Sequence, residues 1–297
     1  MFSDLGGIQD LVKPGSRVGI KVNLTGGTWW DTPEKPPATE FFVVHPAVVA
    51  ALCGLLHDAG AKSISVMDGL GDETAFDAWG YTSLLKPFGV NLVDLCKPDP
   101  YPGYYRMPAG SGARVYDFFF VNGVLNEIDT FISVAKMKCH TTTGVTLSMK
   151  NLFGLVPISE YRLRPTDTNR SAFHGLLAFD TRVPQVILDL NQARPVQLAL
   201  IDGVMTAEAG AGPWDQRMYQ VKPGLLVAGK NPVATDAVAA ALMGFDPDAP
   251  EKTSPFIGGS NHLAMAREAG MGTNQIGEIA VRGPSIQEAL YPFKPAR

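Results

Sequence analysis

Three consecutive stretches decide the fold: VGIKVNL at residues 18–24, PAVVAALCGLLHDA at residues 46–59 and SISVM at residues 63–67. The first is apolar and β-branched and follows the Pro14-Gly15 turn, so it reads as a strand. The second begins on a proline, which suits the first helical position. It aligns Val48, Leu52, Leu55 and Leu56 on one stripe and is closed by Gly60. The third is a strand ending in Asp68-Gly69. Strand, helix and strand at this spacing imply parallel strands joined by a right-handed crossover.

The alternation continues outward from this unit. A helical stretch is expected near Phe76–Lys86, and strands over Asn91–Leu95, Arg114–Val121 and Thr130–Lys138. A helix over Val183–Ala193 leads to a strand over Gln197–Ile201 that ends in Asp202-Gly203. A short strand over Gly224–Ala228 precedes a helix capped by Asn231, with Pro232 as its first residue. Asn261 caps another helix, with His262 at its surface-exposed start, and Glu278–Arg282 reads as a last strand. Upstream, Ile8–Val12 reads as a short helix, so the first strand of a usual α/β order is either absent or trimmed away. Gly26–Ala38 and Lys97–Gly112 are loops, and Arg162–Arg170 is expected to be a mobile one. The expected fold class is α/β, with a mainly parallel central sheet, helices on both faces and some antiparallel additions. We expect a single domain over residues 1–297, with a division into two lobes (about 1–125 and 126–297) left open.

Composition narrows the function. Charged residues make up 18% of the chain, below the roughly 25% usual for soluble domains, so much of it must be buried or covered by a partner. This favours a homo-oligomer, with the Trp29-Trp30 pair as a contact. The net charge of −4 argues against nucleic acid. Cys53, Cys96 and Cys139 form no C-x-x-C, which excludes a disulfide scaffold and an intrinsic iron–sulfur cluster. No Gly-x-Gly-x-x-Gly follows a strand, so no dinucleotide is expected. No signal peptide is visible, and the apolar run Phe41–Leu56 is broken by His45 and Pro46. The expectation is a cytoplasmic protein with no membrane partner.

The densest polar signal is KMKCHTTTG at residues 136–144, followed by Lys150-Asn151. Strand alternation places Ile132, Val134, Lys136, Lys138 and His140 on one face, which turns from apolar to cationic at the strand's carboxyl end. Ligands of α/β proteins bind at that edge, and ammonium groups, an imidazole and hydroxyls suit a carboxylate or phosphate. The competing reading is an edge strand with a solvated basic end. Asp68 and Asp202 close strands in Asp-Gly steps, which are also common turn formers. Asp236 lies in a helix that is apolar nearly all round, so it needs a partner: Lys150, Lys138 or a metal. Alternation turns Cys139 away from Lys138 and His140, which argues against a catalytic thiol.

Several blocks also resemble one family. VGIKVNL (18–24), His45-Pro46 with Gly60-Ala61, and the stretch from Val134 to Gly154 are similar to the proteins grouped as the domain of unknown function 362. So are His174 in its aromatic context, Ile187–Leu190, Ile201-Asp-Gly, Gly212-Pro213, Asn231–Asp236 and Gly244-Phe. The resemblance runs from about residue 13 to residue 283. It implies a shared polar motif of Lys21, Asn23, His45, Lys138, His140, Lys150, Asn151, His174, Asp202 and Asp236, without a reaction. Many members carry a ferredoxin-like region with cysteine-ligated clusters, and this sequence lacks that region.

The resulting expectation is an enzyme acting on an anionic small molecule by acid–base chemistry, with divalent-metal assistance left open. His140, Lys138 and Lys150 are the candidate catalytic residues, with His140 moving the proton. Lys21, Asn23, Lys136, Thr141, Thr142 and Asn151 are the candidate substrate-binding residues. Asp202, Glu208, Asp236 and His174 are the candidate metal ligands. The alternatives are a non-catalytic metal- or metabolite-binding accessory protein partnering an iron–sulfur protein, and a purely structural polar network.

Overall fold

Pro46 starts a helix because its missing N–H is one the first turn leaves unpaired anyway. The His45 side chain supplies the cap, its Nδ1 accepting from the Ala47 amide at 3.2 Å. Val49, Leu52, Cys53 and Leu56 recur at helical spacing and are all buried, each large aliphatic contributing about 1.5–3 kcal/mol. The structure, a computed structural model, describes residues 1–167, 171–175 and 179–297. In chain order its main elements are β1 (Arg17–Lys21), α1 (Pro46–Asp58), β2 (Ser63–Asp68), α2 (Ala75–Ala78), α3 (Tyr81–Leu85), β3 (Asn91–Asp94), β4 (Tyr105–Pro108) and β5 (Phe118–Val121). They continue with α4 (Val124–Glu127), β6 (Thr130–His140), β7 (Gly144–Thr146), α5 (Ser148–Asn151), α6 (Phe179–Ala193) and β8 (Leu198–Glu208). Last come β9 (Tyr219–Val221), β10 (Leu225–Gly229), α7 (Pro232–Leu242) and α8 (His262–Glu268).

The central sheet runs β10-β8-β6-β1-β2-β3, with β7 added to β6 and β9 to β8. The pairs β6/β8, β6/β1, β1/β2 and β2/β3 are parallel; β10, β9 and β7 join antiparallel. Alternation sorts the two faces. Ile20, Ile64, Val66, Ile132, Val134, Leu198 and Leu200 share one core cluster with Val49, Leu52 and Leu56 of α1. Met67, Phe131 and Ala199 point the other way, toward Val186 and Leu190 of α6 and the β4–β5 hairpin. No helix among the described residues is long and apolar enough to cross a membrane.

Several boundaries differ from the sequence-based expectation. The strand expected from Arg114 starts only at Phe118, because the buried Asp189 carboxylate on α6 takes the amides of Arg114, Val115 and Tyr116. The expected Phe76–Lys86 helix is split by Gly80, whose φ of 76° breaks the run. Residues 8–12 form a turn rather than a helix, following the left-handed pair Gly6 and Gly7. No strand forms over 278–282, where the chain is a single 3₁₀ turn and then irregular, with Val281 and Arg282 exposed. Asp202-Gly203 is not a turn: β8 runs straight through it to Glu208, held by β10 on one stretch and β9 on the next. The loop expected over 162–170 lies partly outside the described residues.

Candidate functional site: a buried lysine cluster at the sheet edge

β6 carries Lys136 and Lys138 into the protein along the same row as Ile132 and Val134, and both are buried to within 1%. A register irregularity against β8 falls between them. Lys136 stands beside Asp202 in the β6–β8 register; its Nζ donates to Asp202 Oδ2 at 2.9 Å and to the Thr39 carbonyl at 3.0 Å. Asp202 also accepts from the His45 amide at 3.0 Å, which ties the start of α1 to this pair. At the end of β1, Lys21 pairs with Asp68 at 2.5 Å and donates to the Val22 carbonyl and to Asn151 Oδ1. Asn151 reaches back to Lys21 O, Ser133 Oγ and Val134 O. Burial pulls Lys21 and Lys136 below the ordinary lysine range, against the opposite pull of Asp68 and Asp202.

Among the described residues the other two lysines are in no ion pair. Lys138 Nζ donates to the Phe42 carbonyl at 3.2 Å, and burial and then Lys136 lower its pKa to about 7. Lys150 is half-buried, and its Nζ lies 3.7 Å from the centre of the Phe153 ring. Among the described residues it has no hydrogen-bond partner. Burial, then Lys138 and Lys21, lower its pKa to about 7. Four converging lysines thus share two acids, Asp68 and Asp202.

Imidazoles complete this region. His140 Nδ1 accepts from the amides of Thr142 and Thr143 at 3.1 and 3.3 Å, in the turn between β6 and β7. A nitrogen that accepts two N–H groups carries no proton, so the ring is neutral with its hydrogen on Nε2. Its enclosure, followed by Lys150 and Lys138, holds its pKa well below the usual histidine value. The His174 ring packs edge-on against Phe153 at 5.4 Å, and its Nδ1 lies 3.2 Å from the Ser171 carbonyl. His262, expected at the surface, is fully buried, edge-on to Phe256, with neither ring nitrogen hydrogen-bonded. Burial and then Lys150 push its pKa down to about 3. Its sequence position gives no hint of this, because the cover comes from α6 and α7 packed on α8.

The remaining expected residues are dispersed. Asn23 donates to Thr25 and leaves its buried Oδ1 unpartnered. Thr141 borders an outer groove, and Thr142 serves His140 through its amide. Asp236 pairs with no lysine: it accepts the Ser148 and Met149 amides at the start of α5, both at 2.8 Å. Burial raises its pKa to about 7 despite those two bonds. Glu208 takes the Tyr219 hydroxyl and the Lys294 amide. Asp202, Glu208, Asp236 and His174 therefore have separate partners, and among the described residues no three His, Cys, Asp or Glu side chains converge as metal ligands. Cys139 is turned away and buried, its pKa pushed up to about 12.

One glycine is required by the cluster. A Cβ on Gly154 would lie 2.5 Å from Asp68 Oδ1 and 2.9 Å from Lys21 Nζ, both of them buried. Gly154→Ala is expected to lose about 1–3 kcal/mol in urea unfolding, since the ion pair must move. A loss below about 0.5 kcal/mol would show that the pair tolerates displacement.

The family model of a domain of unknown function, DUF362, matches residues 18–241. A thylakoid-associated protein of Synechocystis is 26% identical over 303 residues, covering 99% of this chain and 83% of that protein. A crystal structure of a Thermotoga maritima protein aligns with 75% of this chain at 12% identity and a TM-score of 0.37. The chain spans about half of that structure's length, 52%, and so low a score carries no argument. The extent of the family match settles the assignment: the chain belongs to the DUF362 family.

Proposed function

We propose that the chain is an enzyme that binds an anionic small molecule against Lys138, Lys150 and His140 and transfers a proton at an atom beside the anionic group. The observation that carries this is the charge imbalance: among the described residues two of four converging lysines are in no ion pair, and one of these, Lys150, is only partly buried. Unpaired buried ammonium groups are costly, and an incoming phosphate or carboxylate offsets that cost. The geometry redistributes the roles expected from sequence. His140 has Nδ1 engaged by two amides, so it serves as a neutral Nε2–H donor to developing negative charge rather than as a base. Lys150, with a pKa of about 7, is the proton carrier, since a transfer group works best near ambient pH. Lys138 holds the anion. We assign the candidate acids to positioning: Asp202, Asp236 and Glu208 each accept from separate backbone amides.

Thermal shifts with sulfate, phosphate and malonate, at ionic strength matched with chloride, test the binding. At least one of the three is expected to raise the Tm at pH 6.5, and the effect of sulfate is expected to shrink by pH 9 as the lysines lose their protons. Stabilisation by none of them would overturn the proposal. Turnover of small phosphates and carboxylates, followed by NMR, separates an enzyme from a non-catalytic holder: the wild type is expected to consume at least one, and Lys150→Met none. Binding without any turnover would favour the holder. We further propose a homo-oligomer through β10, an edge strand whose Leu226 is 43% exposed, to be checked by light scattering. A cytoplasmic location is proposed as well, and the thylakoid-associated relative makes membrane fractionation its test.

A further inference from the structure

Two loops meet outside the lysine cluster, and both carry tryptophan. In the first, Trp29 is 55% exposed and folds back over Gly27, where a Cβ would lie 2.3 Å from the ring. In the second, Trp214 is 49% exposed and folds over Gly212 in the same way, at 2.4 Å. The loops are tied together: Trp30 meets Trp214 edge-on at 6.4 Å, and Lys35 lies 5.0 Å from the Trp30 ring while donating to the Pro213 carbonyl at 2.9 Å. The Trp214 ring is thus held in place while about half of it stays open to solvent. It lines a groove of about 540 Å³ with Thr141, Ala211 and the Asp215–Arg217 pair.

Two links join this groove to the cationic centre. Thr141 follows His140 directly at the end of β6. On the other side, a Cβ on Gly26 would meet the Phe42, Pro213 and Trp30 side chains at 3.3–3.6 Å, and the Phe42 carbonyl is the one that holds Lys138. These links set the half-exposed Trp214 indole beside the loop residues that frame the cationic centre. We infer that the substrate is a small phosphate or carboxylate bearing an aromatic ring, the ring resting on Trp214; this rests on the anion site proposed above. An aromatic ring gains offset or edge-on contact with an indole that an alkyl group of similar area lacks.

Phenyl phosphate, butyl phosphate and inorganic phosphate, titrated against the full chain by calorimetry, test it. Phenyl phosphate is expected to bind about three- to tenfold more tightly than inorganic phosphate, with butyl phosphate between them. In Trp214→Ala the ratio of phenyl to inorganic phosphate affinity is expected to collapse toward one, and in Trp214→Phe to persist. Equal affinities in the wild type, or an unchanged ratio in Trp214→Ala, would overturn the aromatic assignment while leaving the anion site standing. Failure of all three phosphates to bind would remove the anion site and this inference with it.

Discussion

Asp202→Ala is expected to lose about 3–5 kcal/mol of unfolding free energy, the largest stability effect of any single change at the site. The carboxylate and the Lys136 ammonium are both fully shielded from water, 2.9 Å apart. Removing the acid leaves Lys136 with one carbonyl, that of Thr39, and no ion-pair partner, with only the longer-range field of Glu40 in compensation. It also orphans the His45 and Val204 amides, so the damage reaches the start of α1. Lys136→Met combined with Asp202→Ala is expected to recover more than half of the loss, since the stranded charge is then gone. Urea denaturation of both proteins decides this. A loss under about 1 kcal/mol in Asp202→Ala would mean that Lys136 finds another partner or sheds its proton without cost.

Lys138→Met is expected to do the reverse: stabilise the protein by about 1–4 kcal/mol at pH 6 and abolish its response to sulfate and phosphate. Lys150→Met is expected to act in the same directions, with a smaller gain in stability because that side chain is less completely buried than Lys138. The sign follows from the lowered pKa values. Between about pH 7 and the ordinary lysine value of 10.5, the unfolded chain holds protons on these groups that the folded chain has released. Wild-type stability therefore rises with pH across that window, and below it both charges are present and their cost is full. Replacing either lysine flattens the rise. A gain in stability together with a lost anion response would fit a site shaped for function rather than for folding. If both variants were less stable than the wild type at pH 6, the two lysines would belong to a structural network.

The central unit was legible because periodicity alone carries it. The helix at α1 and the alternation of β1, β2 and β6 need no tertiary knowledge, and the same alternation puts Lys136, Lys138 and His140 on one row. The buried stripe of α1 differs from the expected one: Val49 and Cys53 join Leu52 and Leu56, while Leu55 is 41% exposed. What the lysines touch was not legible. Their hydrogen-bond partners include the backbone carbonyls of Thr39 and Phe42, in a loop whose side chains do not announce that service. The Asp202-Gly203 step reads locally as a turn, yet strand pairing on both sides keeps it extended. Asp236 reads as a buried acid in need of a partner, and the partner is a helix start that exists only once α5 packs against α7. His262 sits at the beginning of a helix, a position that is often exposed, and only the packing of neighbouring helices buries it.

On this proposal Lys138 and Lys150 form a partly deprotonated pair that is recharged when an anion arrives. Calorimetric titration of sulfate at pH 8, in two buffers of different ionisation enthalpy, reads this directly, because sulfate itself does not titrate there. Uptake of roughly one to two protons per sulfate is expected in the wild type, and clearly less in Lys150→Met. Sulfate binding without proton uptake, or with equal affinity in Lys150→Met and wild type, would contradict it.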